Sequence, residues 1–243
     1  MLCAQLGRLA ILSAISTLFY SCQNEADISE YYFPVNKLGE GKVYEYRFVG
    51  KPEVMPEYWL HERKKDAAEG KKGNFFESTL YGANMEVRQF VREEIVSNGV
   101  LLDNLQLYFK DSTGNQAQVA PVIISPNVYP FDVKDTTLKY YYKIFFKNPF
   151  DTLQTTYLTR SRTFKGKKQY RYKGKEVDCV EFALEEKYVD DREGRWEKVI
   201  YGTELYAKGI GLVYYKKGLQ KEFTLEYELA DIYSPEELKK KLK

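Results

Sequence analysis

The sequence predicts an all-β chain, mainly antiparallel, folded as a single-domain curved sheet, half-barrel or sandwich with a short C-terminal helix. Three observations carry this. Apolar and polar residues alternate with period two along much of the chain, as in strands with one wet face. Aromatic residues make up 16% of the chain, with 22 Tyr and 14 Phe against 2 Trp, a bias that suits pleated, half-buried surfaces. Clusters of Gly, Asn and Pro separate the alternating runs at hairpin spacing.

Each element follows from these patterns. Over residues 43–49, Tyr44, Tyr46 and Phe48 share one face and Glu45 and Arg47 the other. Leu101, Leu105, Leu107 and Phe109 line a second run across Asp103. Leu138, Tyr140, Tyr142, Ile144 and Phe146 line a third, with Lys139 and Lys143 opposite, and Phe223, Leu225, Tyr227 and Leu229 alternate with Thr224, Glu226 and Glu228. Asn98-Gly99 is the clearest two-residue turn and predicts a hairpin of 85–97 with 100–109. The stretch from Pro121 to Pro130 reads as an internal seam within one domain. Ser234-Pro235-Glu236-Glu237 offers an N-cap, a proline in the first turn and a capping-box acid, so a short, solvated basic helix is expected to close the chain.

Composition excludes several classes. With 44% hydrophobic and 30% charged residues the chain can build a packed core. A formal charge of +2, with both signs interspersed, gives no field for nucleic acid. One His and three Cys are too few soft ligands for a zinc or iron–sulfur centre, so no cofactor or metal is expected.

The amino terminus carries a lone positive residue, Arg8, then an apolar stretch over 9–19 that ends in Ser21-Cys22, the layout of a secretory signal. That stretch is too short to span a bilayer core of ~30 Å. Its Ser21-Cys22 end resembles a bacterial lipobox, which makes Cys22 the expected lipidation site. The domain reading is then a lipoprotein signal peptide over 1–21, a lipidated polar tether over 22–30 and a β domain over 31–243. Cys3 leaves with the signal and Cys22 takes lipid, so Cys179 alone remains, in a strand-like run where a buried small hydrophobe is expected. Gln23 stands where inner-membrane lipoproteins of enterobacteria carry Asp, and Glu25 and Asp27 resemble a short Bacteroidota surface-export signal, so an outer-membrane anchor, periplasmic or surface-facing, is expected.

Candidate chemistry is sparse. His61 is the single histidine, and no nucleophile elbow adjoins it, so no catalytic residue is expected. The acid pairs Glu93-Glu94, Glu185-Glu186 and Asp190-Asp191 put their members on opposite strand faces and read as solvated charge. Gly39-Glu-Gly41 and Gly209-Ile-Gly211 each precede an aromatic strand, whereas a phosphate cradle needs a helix to follow. Tyr140-Tyr141-Tyr142 and Tyr214-Tyr215 read as strand packing, with an amphipathic face for protein or glycan as the alternative.

The segments Tyr32-Phe33-Pro34-Val35 with Gly41 to Tyr46, and Tyr206-Ala-Lys-Gly209-Ile-Gly211-Leu-Val213, together with the lipobox, resemble uncharacterised Bacteroidota outer-membrane lipoproteins. The resemblance covers under a quarter of the chain. More distantly, the architecture is similar to lipoprotein-carrier half-barrels, in which a sheet wraps a helical lid and holds acyl chains, although lid helices are missing here. The resemblance implies a non-enzymatic, membrane-anchored envelope protein that binds or scaffolds an envelope protein, glycan or apolar ligand. The alternatives are a carrier of an apolar ligand or lipid in a β half-barrel, and an envelope hydrolase.

Overall fold

A computed structural model describes residues 26–67, 69–82, 84–192, 194–220 and 223–242. The signal segment over 1–21 and Cys22 lie outside the described residues. The strands, in chain order, are β1 (Ala26–Asp27), β2 (Lys42–Phe48), β3 (Glu57–Lys65), β4 (Asn74–Tyr81), β5 (Val87–Val96), β6 (Gly99–Lys110), β7 (Gln116–Val119) and β8 (Val122–Pro130). They continue as β9 (Asp132–Val133), β10 (Lys139–Asn148), β11 (Asp151–Tyr172), β12 (Lys175–Asp191), β13 (Arg195–Ala207), β14 (Gly211–Gln220) and β15 (Phe223–Tyr233), and α1 (Pro235–Lys241) ends the chain.

Apart from the short pair β1–β9, every strand belongs to one sheet ordered β5-β4-β3-β2-β15-β14-β13-β12-β11-β10-β8-β6-β7, and β6 pairs back onto β5. All of these pairings are antiparallel. The predicted curved antiparallel sheet is therefore present, and it curls until it closes as a barrel. β7 pairs with the far half of β6, Leu107 to Lys110, where β8 does not reach. The predicted hairpin is β5–β6, with Val96 opposite Gly99 at the turn.

The alternation places side chains largely as the sequence implies. Tyr46, Tyr142 and Leu225 face the barrel interior, while Ile144 and Tyr227 are buried on the same faces as their neighbours in the pattern. One inward position differs. A register shift between Arg92 and Glu93 sets Asn104 opposite Arg92 but Leu102 opposite Glu93, so Leu102 joins Leu105 inside and Leu101 turns away. The expected seam is also absent: residues 122–130 form β8, which bridges β10 through its first half and β6 through its second. Pro126 lies beside a register shift opposite β10, a place where a missing N–H is tolerated.

An eight-stranded barrel is about as wide as its own side chains can fill. This one has twelve strands in the ring, and its amino-terminal segment supplies the missing bulk at one end. Ala26 and Asp27 pair with Val133 and Asp132, and the Ile28 N–H donates to the Phe131 carbonyl at 2.7 Å. Ile28, Tyr31, Tyr32 and Leu38 are buried against Phe76, Val100, Leu102 and Tyr129. Residues 26–30, expected to belong to the tether, are built into the body. Phe33 follows them inward and packs so close to Gly211 that a Cβ there would lie 2.5 Å from its ring, at a φ of +101° that already favours glycine.

Two features cover the outer wall. Ser234 caps α1 through its Oγ, which accepts from the Glu237 N–H at 3.2 Å, while Glu237 accepts from the Ser234 N–H at 2.6 Å, the capping box read from sequence. The helix is docked rather than solvated: Leu238 is buried with Val43 and Tyr58. Glu45, which the alternation turns outward, is consequently fully buried and is bonded to Arg47, Tyr233 and Lys241. At the end closed by the amino-terminal segment, the long β11–β12 hairpin reaches across the wall, with Lys173 paired to Asp231 and the Tyr170 ring 5.9 Å from Tyr214. Beneath it Cys179 is free and wholly buried, as expected, and burial pushes its thiol pKa up to about 11.

Candidate functional site

The barrel interior holds a half-open cavity of about 290 Å³, lined on one side by Tyr32 and Phe33 of the amino-terminal segment. Inward-facing positions on adjacent strands build its polar wall. Arg160 on β11 lies opposite Glu186 on β12, Arg162 is two residues further along, and Glu204 on β13 pairs in register with Tyr215 on β14, two positions from Lys217. Cross-strand neighbours on one face come within reach of each other, so four strands deliver five charges to one patch.

Glu204 is wholly buried between the guanidiniums of Arg160 and Arg162, and Arg162 Nε donates to its Oε2 at 2.7 Å. Arg162 also donates to the Val128 carbonyl at 3.0 Å, which fixes its plane. Burial alone would raise the Glu204 pKa, but the two arginines outweigh it and bring it down to about 2. Glu186 shows the same contest, with burial opposed by Arg160 and Lys217, and its pKa falls below the usual carboxylate range. Lys217 donates to Glu186 Oε1 at 3.0 Å, yet burial, then the nearby Arg160, lower its own pKa.

The remaining polar groups are held separately. Tyr32 donates to Glu93 Oε2 at 2.6 Å, and burial raises the Glu93 pKa. Tyr215 donates to Glu57 at 2.7 Å. His61 is buried, with its ring centroid 4.5 Å from Phe33, 4.8 Å from Tyr44 and 5.1 Å from Phe76. Burial lowers its pKa to about 3, so the imidazole is neutral. Its Nδ1 is 2.8 Å from Ser78 Oγ, and its Nε2 has no hydrogen-bond partner among the described residues.

A Ser–His pair activates the hydroxyl only when the histidine is basic and a third group orients its far nitrogen. His61 has neither property. Among the described residues no group of His, Cys, Asp and Glu is arranged to hold a metal ion. The wall sets charged donors beside apolar and aromatic surface, an arrangement that can hold a polar group of a ligand.

The expected site residue, Cys22, lies outside the described residues. The acid pairs, read as solvated charge, are divided by the wall. Glu94 and Glu185 pair outside with Lys71 and Lys139, whereas Glu93 and Glu186 face inward, because a barrel this wide has room for charge within it. The tyrosine runs are divided in the same way: Tyr142 and Tyr215 line the cavity, and Tyr141 is exposed. The two glycine pairs are turns leading into strands, and the segments touch, with Tyr44 and Tyr46 donating to the carbonyls of Ile210 and Leu212 at 2.9 and 2.8 Å.

Sequence reasoning missed Arg160, Arg162, Glu204 and Lys217. A signal for the arginines was present, since Leu158, Arg160, Arg162 and Phe164 share one parity and the charges therefore continue an apolar face.

No protein-family model and no curated protein matches this chain. A solved structure does: the crystal structure of a "putative lipoprotein" from Parabacteroides distasonis ATCC 8503 aligns with 84% of this chain and 98% of its own, at 11% sequence identity and a TM-score of 0.52. At that identity the likeness concerns the fold, and the two chains share the curled antiparallel architecture.

Proposed function

We propose that this chain is a non-enzymatic lipoprotein of the cell envelope, anchored in the outer membrane through Cys22, that binds a small ligand inside its barrel. The observation that carries the binding reading is the concave cavity with its charged wall, since ligand sites are concave, mostly apolar and provided with a few convergent polar groups. The anchor reading rests on the apolar segment ending at Ser21-Cys22, and the fold likeness to a protein described as a "putative lipoprotein" agrees with it. The outer wall bears ion pairs such as Lys139–Glu185 at 2.9 Å and Lys187–Glu197 at 2.9 Å, which suits a barrel standing in water more than one facing acyl chains.

Size narrows the ligand. At about 290 Å³ the cavity stands at the lower end of the ~300–1,000 Å³ span of small-molecule sites, which suits a small ligand. A scaffolding role is the second reading, favoured by the aromatic packing that fills the end around Tyr32 and Tyr129.

Native mass spectrometry of the full chain after gentle membrane extraction tests both. An acylated chain carrying an additional small mass is expected. An acylated chain with a partner subunit and an empty barrel would favour scaffolding. Loss of Cys22 by substitution with Ser is expected to move the chain into the soluble fraction, and retention in the membrane would overturn the anchor.

A further inference from the structure

We infer that Arg160 and Lys217 form an anion subsite in the cavity, and that its ligand is a small organic carboxylate whose flat apolar body lies against Trp59 and Phe76. The inference rests on the ligand-binding reading above and gives it a chemical class.

Accessibility separates the two signs of charge. Glu204 and Glu186 retain 0% and 4% of their side-chain exposure, whereas Arg160 and Lys217 retain 21% and 20%. The carboxylates form the base of the patch and the cations cover them, so the cations front the void. These cations are also short of acceptors. Glu186 Oε1 accepts from Lys217 Nζ at 3.0 Å and lies 3.3 Å from Arg160 Nε, a fully buried atom that makes no hydrogen bond among the described residues. Lys217 carries three donors, and its one recorded hydrogen bond among the described residues goes to that shared oxygen. A buried charged donor without a full set of acceptors is costly, and a carboxylate entering the cavity supplies two.

The other acids that face the cavity, Glu93 and Glu57, each already accept a phenol hydrogen, from Tyr32 and Tyr215. Charge also sets the ligand: Arg160, Arg162 and Lys217 against Glu186 and Glu204 leave the patch with one positive charge in excess, which a monoanion such as a carboxylate neutralises. The aromatic wall of Trp59 and Phe76, with Leu102 and Leu105, favours a flat apolar body over a polyol.

The test is calorimetric titration of the full-length chain, in a non-ionic detergent at pH 7, with 3-phenylpropionate, 3-phenylpropanol and 3-phenylpropylamine. The acid is expected to bind at least tenfold more tightly than the alcohol, and the amine more weakly than either. Lys217→Met is expected to cut the acid-over-alcohol ratio below threefold while leaving the affinity for the alcohol within threefold. If that variant fails to fold, Lys217→Arg takes its place and is expected to keep the tenfold preference. Equal affinity for acid and alcohol, or tightest binding of the amine, overturns the subsite and leaves ligand binding intact. If none of the three binds, the subsite falls, and the mass of the extracted chain decides separately whether the ligand-binding reading falls with it.

Discussion

Tyr32 donates its phenol hydrogen to Glu93 Oε2 at 2.6 Å, which ties the amino-terminal segment to the inward face of β5. The bond lies between two groups that burial would otherwise penalise, and it makes the segment part of the cavity wall instead of a leader beside the barrel. Tyr32→Phe leaves the Glu93 carboxyl without its donor, and a loss of about 1–3 kcal/mol in urea denaturation is expected.

Glu93 also sets a pH dependence. Its folded pKa is raised above 4.5 by burial, so its contribution to stability is fully present below that value and is lost as the pH rises through the folded value. Glu93→Gln should therefore match the parent at pH 4 to within about 1 kcal/mol and gain on it as the pH increases. A constant difference across the range would contradict this assignment.

Glu204 acts in the opposite direction. Its folded pKa of about 2 lies below the ordinary 4.5, so its contribution is present above 4.5 and disappears as the pH falls toward 2. Glu204→Gln strands two buried guanidiniums, and a cost of about 3–5 kcal/mol at pH 7 is expected. Thermal melts between pH 7 and pH 2 should show a flatter acid limb in the variant than in the parent.

The docked helix gives a graded pair of outcomes. Ser234→Ala removes the cap and should cost about 1 kcal/mol, whereas Leu238→Ala opens the contact with Val43 and Tyr58 and should cost about 2–5 kcal/mol. Trypsin cleavage after Lys239 to Lys241 should accelerate in the same order.

Cys179 should be inert toward alkylation in the native chain. Its thiol is wholly buried and its pKa lies near 11, so the thiolate fraction at pH 8 is small and shielded. Peptide mapping after iodoacetamide treatment is expected to find Cys179 modified only when denaturant is present.

Much of the wall was legible in the sequence, because period two, the Asn98-Gly99 turn and the Ser234 capping box are local signals. What the alternation could not convey is which side of each strand becomes the inside of a barrel, or how wide that barrel is. In β13, Glu204, Leu205, Tyr206 and Ala207 are all buried, so the pattern that marks a wet face vanishes where the cluster sits. The acids paired in sequence misled for a related reason: Glu186 reads as solvent-facing until the ring places Arg160 and Lys217 around it. Leu101 failed for a narrower one, since a single register shift within β6 puts the residues before it on the opposite face from those that follow.

The wall joins its earliest long strand to its latest, with Tyr44 opposite Ile232 and Phe48 opposite Tyr227. A chain emerging amino terminus first therefore holds β2 unpaired on that side until nearly all of its length has appeared. Joining such distant stretches is entropically expensive and slow. During that wait the unpaired edge is open to neighbouring molecules, so the chain's vulnerable period belongs to its assembly and ends when β15 seals the circle.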